Sequence, residues 1–342
     1  MNPDSLFRLA IVGLGRVTHY YWPALETIPG LTVAAVCDRD RHKVDRWKNC
    51  QSNCPAFAEI PELWKQVNPD AFVVATPSAS HYTVMQELLP YGKPILLEKP
   101  ATSSANDWEQ LLARINRQKS NVIIAFHSAF GREVLWFREH QEKWQDSLGK
   151  ITGFSCGFYD PYLSNGQLQP GAKSLVSSWI DSGVNALSTI SRFVRSLEPI
   201  ESYFTYDSDS IDWHNHACFS FAIDGDNLGG RGHIKTHWGL GINRKTTHLY
   251  FAQTGHEIEL DHNGQCVRLI DPKGQPQILA DFAGERSRLV AHYEGVFADF
   301  YRHLQRGTDN LDYAMEIHRL LFSVYKRPYC LNPLTEESEG LR

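Results

Sequence analysis

Short apolar runs in this chain repeatedly end in small or charged residues that can do chemistry. The first is Leu9-Ala10-Ile11-Val12-Gly13-Leu14-Gly15-Arg16-Val17-Thr18. Glycine lets a backbone turn sharply out of a strand and lets a ligand come close. Free N–H groups at the start of a following helix favour a phosphate. Gly13, Gly15, Arg16, Val17 and Thr18 are therefore a candidate phosphate loop, incomplete because Thr18 holds the third small position of Gly-x-Gly-x-x-Gly. An ordinary strand-to-helix turn would use the same residues. Asp38 closes the next apolar run, in Val36-Cys37-Asp38-Arg39, about where an acid binds the ribose hydroxyls of a dinucleotide. The bland alternative is a capping or surface aspartate. Such an acid repels a 2′-phosphate and favours NAD, while Arg39 and Arg16 are placed to bind that phosphate, so NADP stays open.

Two later loops bring charge to strand ends. One is Val73-Val74-Ala75-Thr76-Pro77-Ser78-Ala79-Ser80-His81, and the other is Gly92-Lys93-Pro94-Ile95-Leu96-Leu97-Glu98-Lys99-Pro100. Both belong on the ligand side of a parallel sheet. Lys99 there is placed to hydrogen-bond a substrate hydroxyl and tune its proton loss. A local Glu98–Lys99 ion pair ahead of a turn is the plainer reading. His127 follows a buried run and fits either a site or a satisfied core position. Asp160 ends another run beside Tyr159 and is a candidate for the wall of a substrate site.

The elements that must position these residues alternate in the first third. Strands are expected at Arg8–Val12, Leu31–Cys37, Ala71–Ala75, Pro94–Leu97 and Val122–Ala125, with helices near His42–Cys50, Ile60–Val67, Ser80–Leu89 and Ser104–Gln118. Strands without polar alternation suit a parallel sheet covered on both faces. Pro23 predicts a kink or break in the first helix. From about Lys150 the pattern changes. Ile151–Phe158 reads as a strand, Leu163–Ser174 as a loop and Trp179–Val194 as a helix. Short runs follow at Ile200–Tyr206, Ala217–Ile223, Gly230–Thr236, Thr246–Ala252, His256–Leu260 and Val267–Ile270, separated by turn pairs such as Asn263-Gly264, and helices close the chain at Ser287–Gln305 and Asp312–Tyr325. The fold class is α/β: an N-terminal doubly wound parallel sheet of Rossmann type plus a C-terminal α+β domain with an open, mostly antiparallel sheet.

Composition bounds the function. The 342 residues carry a net charge of −5 with no basic run, which disfavours nucleic acid. No continuous apolar stretch is long enough for a membrane span, and Met1 to Arg8 lacks a signal-peptide core. A cytoplasmic protein without membrane partners is expected. The seven cysteines are scattered, Cys50 and Cys54 being the one close pair, which suits reduced thiols. Neither that pair nor His214-Asn215-His216 forms a metal motif, so no metal is expected.

Taken together, Gly13-Leu14-Gly15-Arg16, Val36-Cys37-Asp38-Arg39, Ala75-Thr76-Pro77-x-x-x-His81 and Glu98-Lys99-Pro100 resemble the Gfo/Idh/MocA oxidoreductases in order and spacing. The resemblance implies a Rossmann domain over 1–126 and a substrate and oligomerisation domain over 127–342, with the helix at 312–325 packing back on the first. It implies a homodimer or homotetramer joined through the C-terminal sheet. It assigns NAD or NADP to Gly13, Gly15, Arg16, Val17, Thr18, Asp38, Arg39, Thr76, Pro77, His81, Glu98 and Lys99. It makes Lys99 the catalytic lysine and its bond to Pro100 a candidate for the cis form. The family's Asp-x-Gly-x-His helix motif is present here as Asp181-Ser182-Gly183-Val184-Asn185, with asparagine, which does not titrate, in place of the histidine. Asp181 could also be a plain helix cap. Asp-x-Gly-x-Asn-Ala-Leu-Ser resembles the branch that oxidises galactose or arabinose at C1 to the lactone. His127 falls where that branch has a histidine, and Thr236-His237-Trp238 follows it loosely. The implied catalytic set is Lys99, Asp181, Asn185 and His127, and Asp160 joins Lys99, His127, Asp181 and Asn185 at the substrate. The implied activity is hydride transfer between a cyclic sugar or polyol and nicotinamide. The alternatives are another ring hydroxyl, of inositol or nucleotide-sugar type, and a non-catalytic sugar or dinucleotide sensor.

Overall fold

The computed structural model describes residues 6–50, 54–164, 167–169, 172–207, 209–225 and 228–326. Cys330 and parts of the polar loop over 163–174 lie outside the described residues. The first sheet is built from β1 (Phe7–Val12), β2 (Leu31–Cys37), β3 (Ala56–Phe57), β4 (Ala71–Val74), β5 (Ile95–Glu98) and β6 (Val122–Ala125). Its strand order is β3-β2-β1-β4-β5-β6, all parallel. The crossovers are α1 (Thr18–Leu25), α2 (Arg41–Cys50), α3 (Ile60–Val67), α4 (His81–Leu88) and α5 (Ala105–Gln118). Order reverses between β1 and β4, and ligands bind at such a switch point, beyond the carboxyl ends of the strands. Pro23 does not break α1, contrary to expectation. It stands near the end of that helix, which runs on to Leu25, so it forfeits only the bond to the His19 carbonyl.

A helix that the sequence pattern did not reveal, α6 (Arg132–Leu148), leads into β7 (Ile151–Tyr159). After a small hairpin of β8 (Leu163–Ser164) and β9 (Gln167–Leu168), a π-type turn over Trp179–Gly183 enters α7 (Val184–Ile190). That helix is shorter than the periodicity suggested. Then come β10 (Arg195–Tyr206), β11 (Asp212–Ala222), β12 (Gly230–His237), β13 (Arg244–Phe251), β14 (Glu257–Asp261), β15 (Cys266–Ile270) and β16 (Pro276–Asp281), before α8 (Arg288–Arg306) and α9 (Leu311–Ser323). These strands make an eight-stranded sheet, β10-β11-β12-β7-β13-β14-β15-β16, antiparallel except where β12 lies parallel to β7. Strand β16 has mostly exposed side chains, so it gives no apolar alternation to read.

Packing joins the two sheets. Alternate residues of β1 enter different cores: Leu9 and Ile11 meet Tyr21 of α1 and Val296, Phe297 and Phe300 of α8, whereas Ala10 and Val12 face the core that holds Ile317 and Leu321 of α9. The second of these cores is continuous with α7 and the inner face of the large sheet, including Phe154, Phe219 and Ile234. Both C-terminal helices thus cover the N-terminal sheet, one on each face.

His318 of α9 shows how tightly this is done. It is fully buried, stacks on Trp108 at 4.3 Å, accepts a hydrogen bond from Ala101 N at 2.9 Å and donates to Ala314 O at 2.8 Å. Burial drives its pKa down from 6.5 to about 4. Between those values the unfolded chain binds more protons, so His318 should cost about 3 kcal/mol of stability as pH falls from 6.5 to 4. His318→Leu leaves the Ala101 N–H unpaired, a loss of about 1–3 kcal/mol at neutral pH. Urea unfolding at neutral and acid pH should show that loss shrinking on acidification, and an equal loss at both would refute this account.

Candidate functional site

A cleft of about 630 Å³ opens at the carboxyl ends of the first sheet and is closed by the π-type turn before α7 and by α8. Its wall carries Gly13, Gly15, Arg16, Val17, Asp38, Arg39, Thr76, Pro77, Glu98, Lys99, His127 and Asp181, which sequence reasoning named, and Tyr293, which it did not.

At one end the backbone forms a cradle. Gly13 has φ +102°, and a Cβ there would lie 2.6 Å from the carbonyl carbon of Ala75, so glycine is required. Gly13 N donates to Cys37 O at 2.7 Å and Leu14 N to Asp38 Oδ2 at 2.7 Å, fixing the loop against β2. Among the described residues, the N–H groups of Gly15, Arg16 and Val17 have no acceptor. Three successive free donors beside a helix start form a ready anion site. Thr18 is buried and off the wall. Its hydroxyl donates to Gly15 O at 2.7 Å, so it props the loop from behind. Thr76 Oγ1 is buried without a partner, as expected where a ligand supplies one. Burial works to raise the Asp38 pKa, but N–H bonds from Asp40 and Leu14, together with Lys43 at 3.1 Å, outweigh it and hold the carboxyl below its usual value. An acidic group with ribose reach, free N–H donors and an orphaned hydroxyl fit a dinucleotide.

At the other end adjacent residues of β5 and its following loop point to different partners. Glu98 is buried and accepts from Tyr21 OH at 2.5 Å and Tyr293 OH at 2.8 Å. Burial raises its pKa above the usual carboxyl value, against the opposing pull of those hydroxyls and of Lys99. Lys99, whose bond to Pro100 is cis, places Nζ 2.7 Å from Asp181 Oδ1 and 3.0 Å from Asp181 O. Both side chains are mostly buried. Asp181 does not cap its helix: Ser177 Oγ and Asp212 Oδ1 accept from Ile180 N and Trp179 N instead. Gly183 makes the π-type turn possible, because a Cβ there would sit 2.7 Å from the Trp179 ring.

Not every residue named from the sequence reaches the cleft. His81 is fully buried between the Pro100 and Thr76 carbonyls, at 2.8 and 2.9 Å, and ties two wall loops together. Asn185 is off the wall too. Its Nδ2 donates to Asp181 O at 3.2 Å and its Oδ1 is buried without a partner. Asp160 pairs with Lys245 at 2.6 Å and accepts from Ser182 Oγ at 3.0 Å, so it braces the residue next to Asp181. His127 does reach the cleft. Its Nδ1 lies 3.2 Å from that of His292, and burial, with Lys99 and His292 adding to it, drives its pKa well below the usual value, leaving it neutral. Tyr21, Tyr293, Lys245 and His292 escaped sequence reasoning because each is far along the chain from its partner. Among the described residues no group of three His, Cys, Asp or Glu side chains could hold a metal, and no helix is long and apolar enough to cross a membrane.

Residues 7–126 match the Gfo/Idh/MocA family model, described as oxidoreductase family, NAD-binding Rossmann fold. Scyllo-inositol 2-dehydrogenase (NADP(+)) of Bacillus subtilis is 21% identical over 181 residues, covering 48% of this chain and 54% of that protein. Inositol 2-dehydrogenase of Rhodococcus jostii is 27% identical over 135 residues, covering 39% and 37%. The chain therefore matches about half or less of the length of these relatives. A crystal structure of a variant of KijD10, a 3-ketoreductase from Actinomadura kijaniata, in complex with TDP-benzene and NADP, superposes with a TM-score of 0.76 at 15% identity. That likeness covers 95% of this chain and 99% of the other, and it shows the whole two-sheet fold.

The cradle can be tested by itself. Gly13→Ala should weaken NADH binding by about tenfold or more, since the strained loop must shift by an amount costing about 1–3 kcal/mol. Calorimetric titration with NADH reads this, and unchanged affinity would place the dinucleotide elsewhere.

Proposed function

We propose that this chain is an NAD(P)-dependent dehydrogenase that oxidises a ring hydroxyl of a cyclic sugar or polyol, or runs the reverse reduction. The observation that carries the reading is the Lys99–Asp181 pair, 2.7 Å long, at the end of a cleft whose other end fits a dinucleotide. We place the boundary between a cofactor unit and a substrate unit after Phe126, just beyond β6. The nicotinamide, when bound, supplies a hydride acceptor or donor at its ring carbon. Lys99 Nζ then donates a hydrogen bond to the reacting hydroxyl oxygen, and Asp181 Oδ1 takes the proton. His127, neutral through burial, holds a neighbouring hydroxyl without adding charge. Asn185 acts as a positioning residue: with Lys99 Nζ it fixes the Asp181 carbonyl. Glu98, braced by Tyr21 and Tyr293, sets the strand end from which Lys99 reaches.

Within this reading we favour an aldose oxidised at C1 to its lactone. The hemiacetal hydroxyl is comparatively acidic, which suits a site where Asn185 stands in place of a titrating histidine. Oxidation at another ring hydroxyl is the second reading, supported by the inositol dehydrogenases among the curated relatives. Asp38, held ionised, supports NAD over NADP, with Arg16, Arg39 and Lys43 as the cations nearest any 2′-phosphate. The second sheet leaves Tyr206, Tyr250 and Ile278 exposed, which supports pairing of chains there.

NAD(P)H absorbance with a panel of neutral and acidic aldoses and inositols tests the class. Tight cofactor binding with no turnover on any of them would favour a sensor. Lys99→Ala should lower kcat by about 10²–10⁴-fold while NADH affinity stays within about threefold, and unchanged turnover would sink the proton-transfer role. Asp38→Ser should move the NAD-to-NADP ratio of kcat/KM toward NADP by about tenfold or more, the loss of one charge-assisted contact plus one repulsion. An unmoved ratio would show that Asp38 does not meet the ribose.

A further inference from the structure

The charge balance around the proposed sugar site does not close. Two carboxylates there are each matched by a lysine: Asp181 by Lys99 at 2.7 Å and Asp160 by Lys245 at 2.6 Å. A third cation, Arg288, opens α8 and is partly buried. Among the described residues, no carboxylate oxygen lies within 4 Å of it and no acceptor takes a hydrogen bond from its guanidinium. Its electrostatic neighbours are Asp160, Glu133, Tyr20 and Tyr162. Asp160 is already engaged by Lys245 and Ser182. Glu133 gives Oε1 to His262 at 2.8 Å, and its Oε2 is buried without any partner. Even the nearby carboxylate with a free oxygen therefore does not close on Arg288.

Arg288 lies just behind the cleft wall, linked to it through α8. His292 follows it by one helical turn, on the same face of α8. His292 Nδ1 lies 3.2 Å from His127, which is on the cleft wall, and its Nε2 is buried and unpartnered. Tyr20 comes from the N-terminal unit and Tyr162 from the segment after β7, so Arg288 stands where the two units meet. A partly desolvated guanidinium without a counter-charge is left unsatisfied, and its planar fork matches an oxyanion in two parallel hydrogen bonds.

We propose that Arg288 is a specificity residue that binds an oxyanion substituent, a carboxylate or a phosphate, carried by the sugar ring. The substrate class is then aldoses or polyols that carry an acidic substituent. This rests on the sugar-dehydrogenase reading and narrows it. Tyr162 and Tyr20 flank the anion, and His292 Nε2 is available as a further polar contact.

Calorimetry on the NADH-loaded protein tests this with galactose, glucose and mannose, their uronates, the uronamides and the 6-phosphates. At least one acid should bind about tenfold or more tightly than both its neutral sugar and its amide, in line with a charged hydrogen-bond pair. Which acid binds, uronate or 6-phosphate, identifies the substituent. Arg288→Gln should lower the acid-to-neutral affinity ratio about 10–100-fold, and Arg288→Lys should restore part of it. If Arg288→Gln does not fold, the acid-against-amide comparison in the native chain still decides. No preference for any acid, or equal weakening of acid and neutral sugar, overturns the proposal. Turnover of neutral sugars without acid preference would retain the dehydrogenase and remove Arg288. Arg288-dependent acid binding without turnover on any sugar would do the reverse.

Discussion

The ion pair between Lys99 and Asp181 is the contact around which the rest is arranged. One partner ends a strand of the first sheet and the other lies in a distorted turn of the second unit, so the pair exists only when both sheets are in place. Neither group is well solvated. Pairs of this kind rarely add net stability, because desolvation offsets most of their attraction, and losing one partner typically costs about 3–5 kcal/mol. A mostly buried pair of this kind would suit the proton transfer proposed for this site. The cost is absorbed by packing: the continuous apolar core from α9 through α7 to the large sheet holds both ends in register.

Adjacent residues divide the labour at that strand end. Glu98 turns toward Tyr21 and Tyr293, and Lys99 toward Asp181, as strand alternation requires. The two tyrosines come from α1 and α8, which cover the same face of the sheet. Glu98, whose pKa burial raises, is held by two hydroxyls and gives the lysine a fixed strand end to reach from. The environment of α8 then extends the pattern, with Arg288 one turn before the adjacent His292 and Tyr293.

Much of the first sheet was legible because its strands are continuous apolar runs and its ligand-side loops carry distinct residue types. Gly13, Asp38, Glu98 and Lys99 sit at strand ends that periodicity alone locates. The helix α6 was missed because its pattern is masked by charged residues, Arg132, Glu133, Arg138, Glu139 and Glu142 among them. The π-type turn was missed because its signal is a steric one, the Gly183 Cβ against the Trp179 ring, which no periodicity encodes. His81 and Asn185 were assigned to the cofactor and the substrate by order along the chain, and both lie just behind the cleft wall. Whether a side chain faces the cleft or braces it from behind depends on which neighbours reach it, and both of these brace.

By itself the sequence determined the α/β class, the switch-point loops and the identity of the groups at the ends of the strands, since these follow from local propensity and spacing. Only the tertiary structure decided which of those groups meet. Lys99 and Asp181 lie 82 positions apart, Tyr293 and Glu98 195 apart, and His127 and His292 165 apart. Contacts over such separations are set by how two sheets and their helices pack, through burial and charge compensation summed over the whole chain. The same physics decided that, among the described residues, Arg288 would stand without a carboxylate, a fact about what is missing around a residue and therefore invisible in any local pattern.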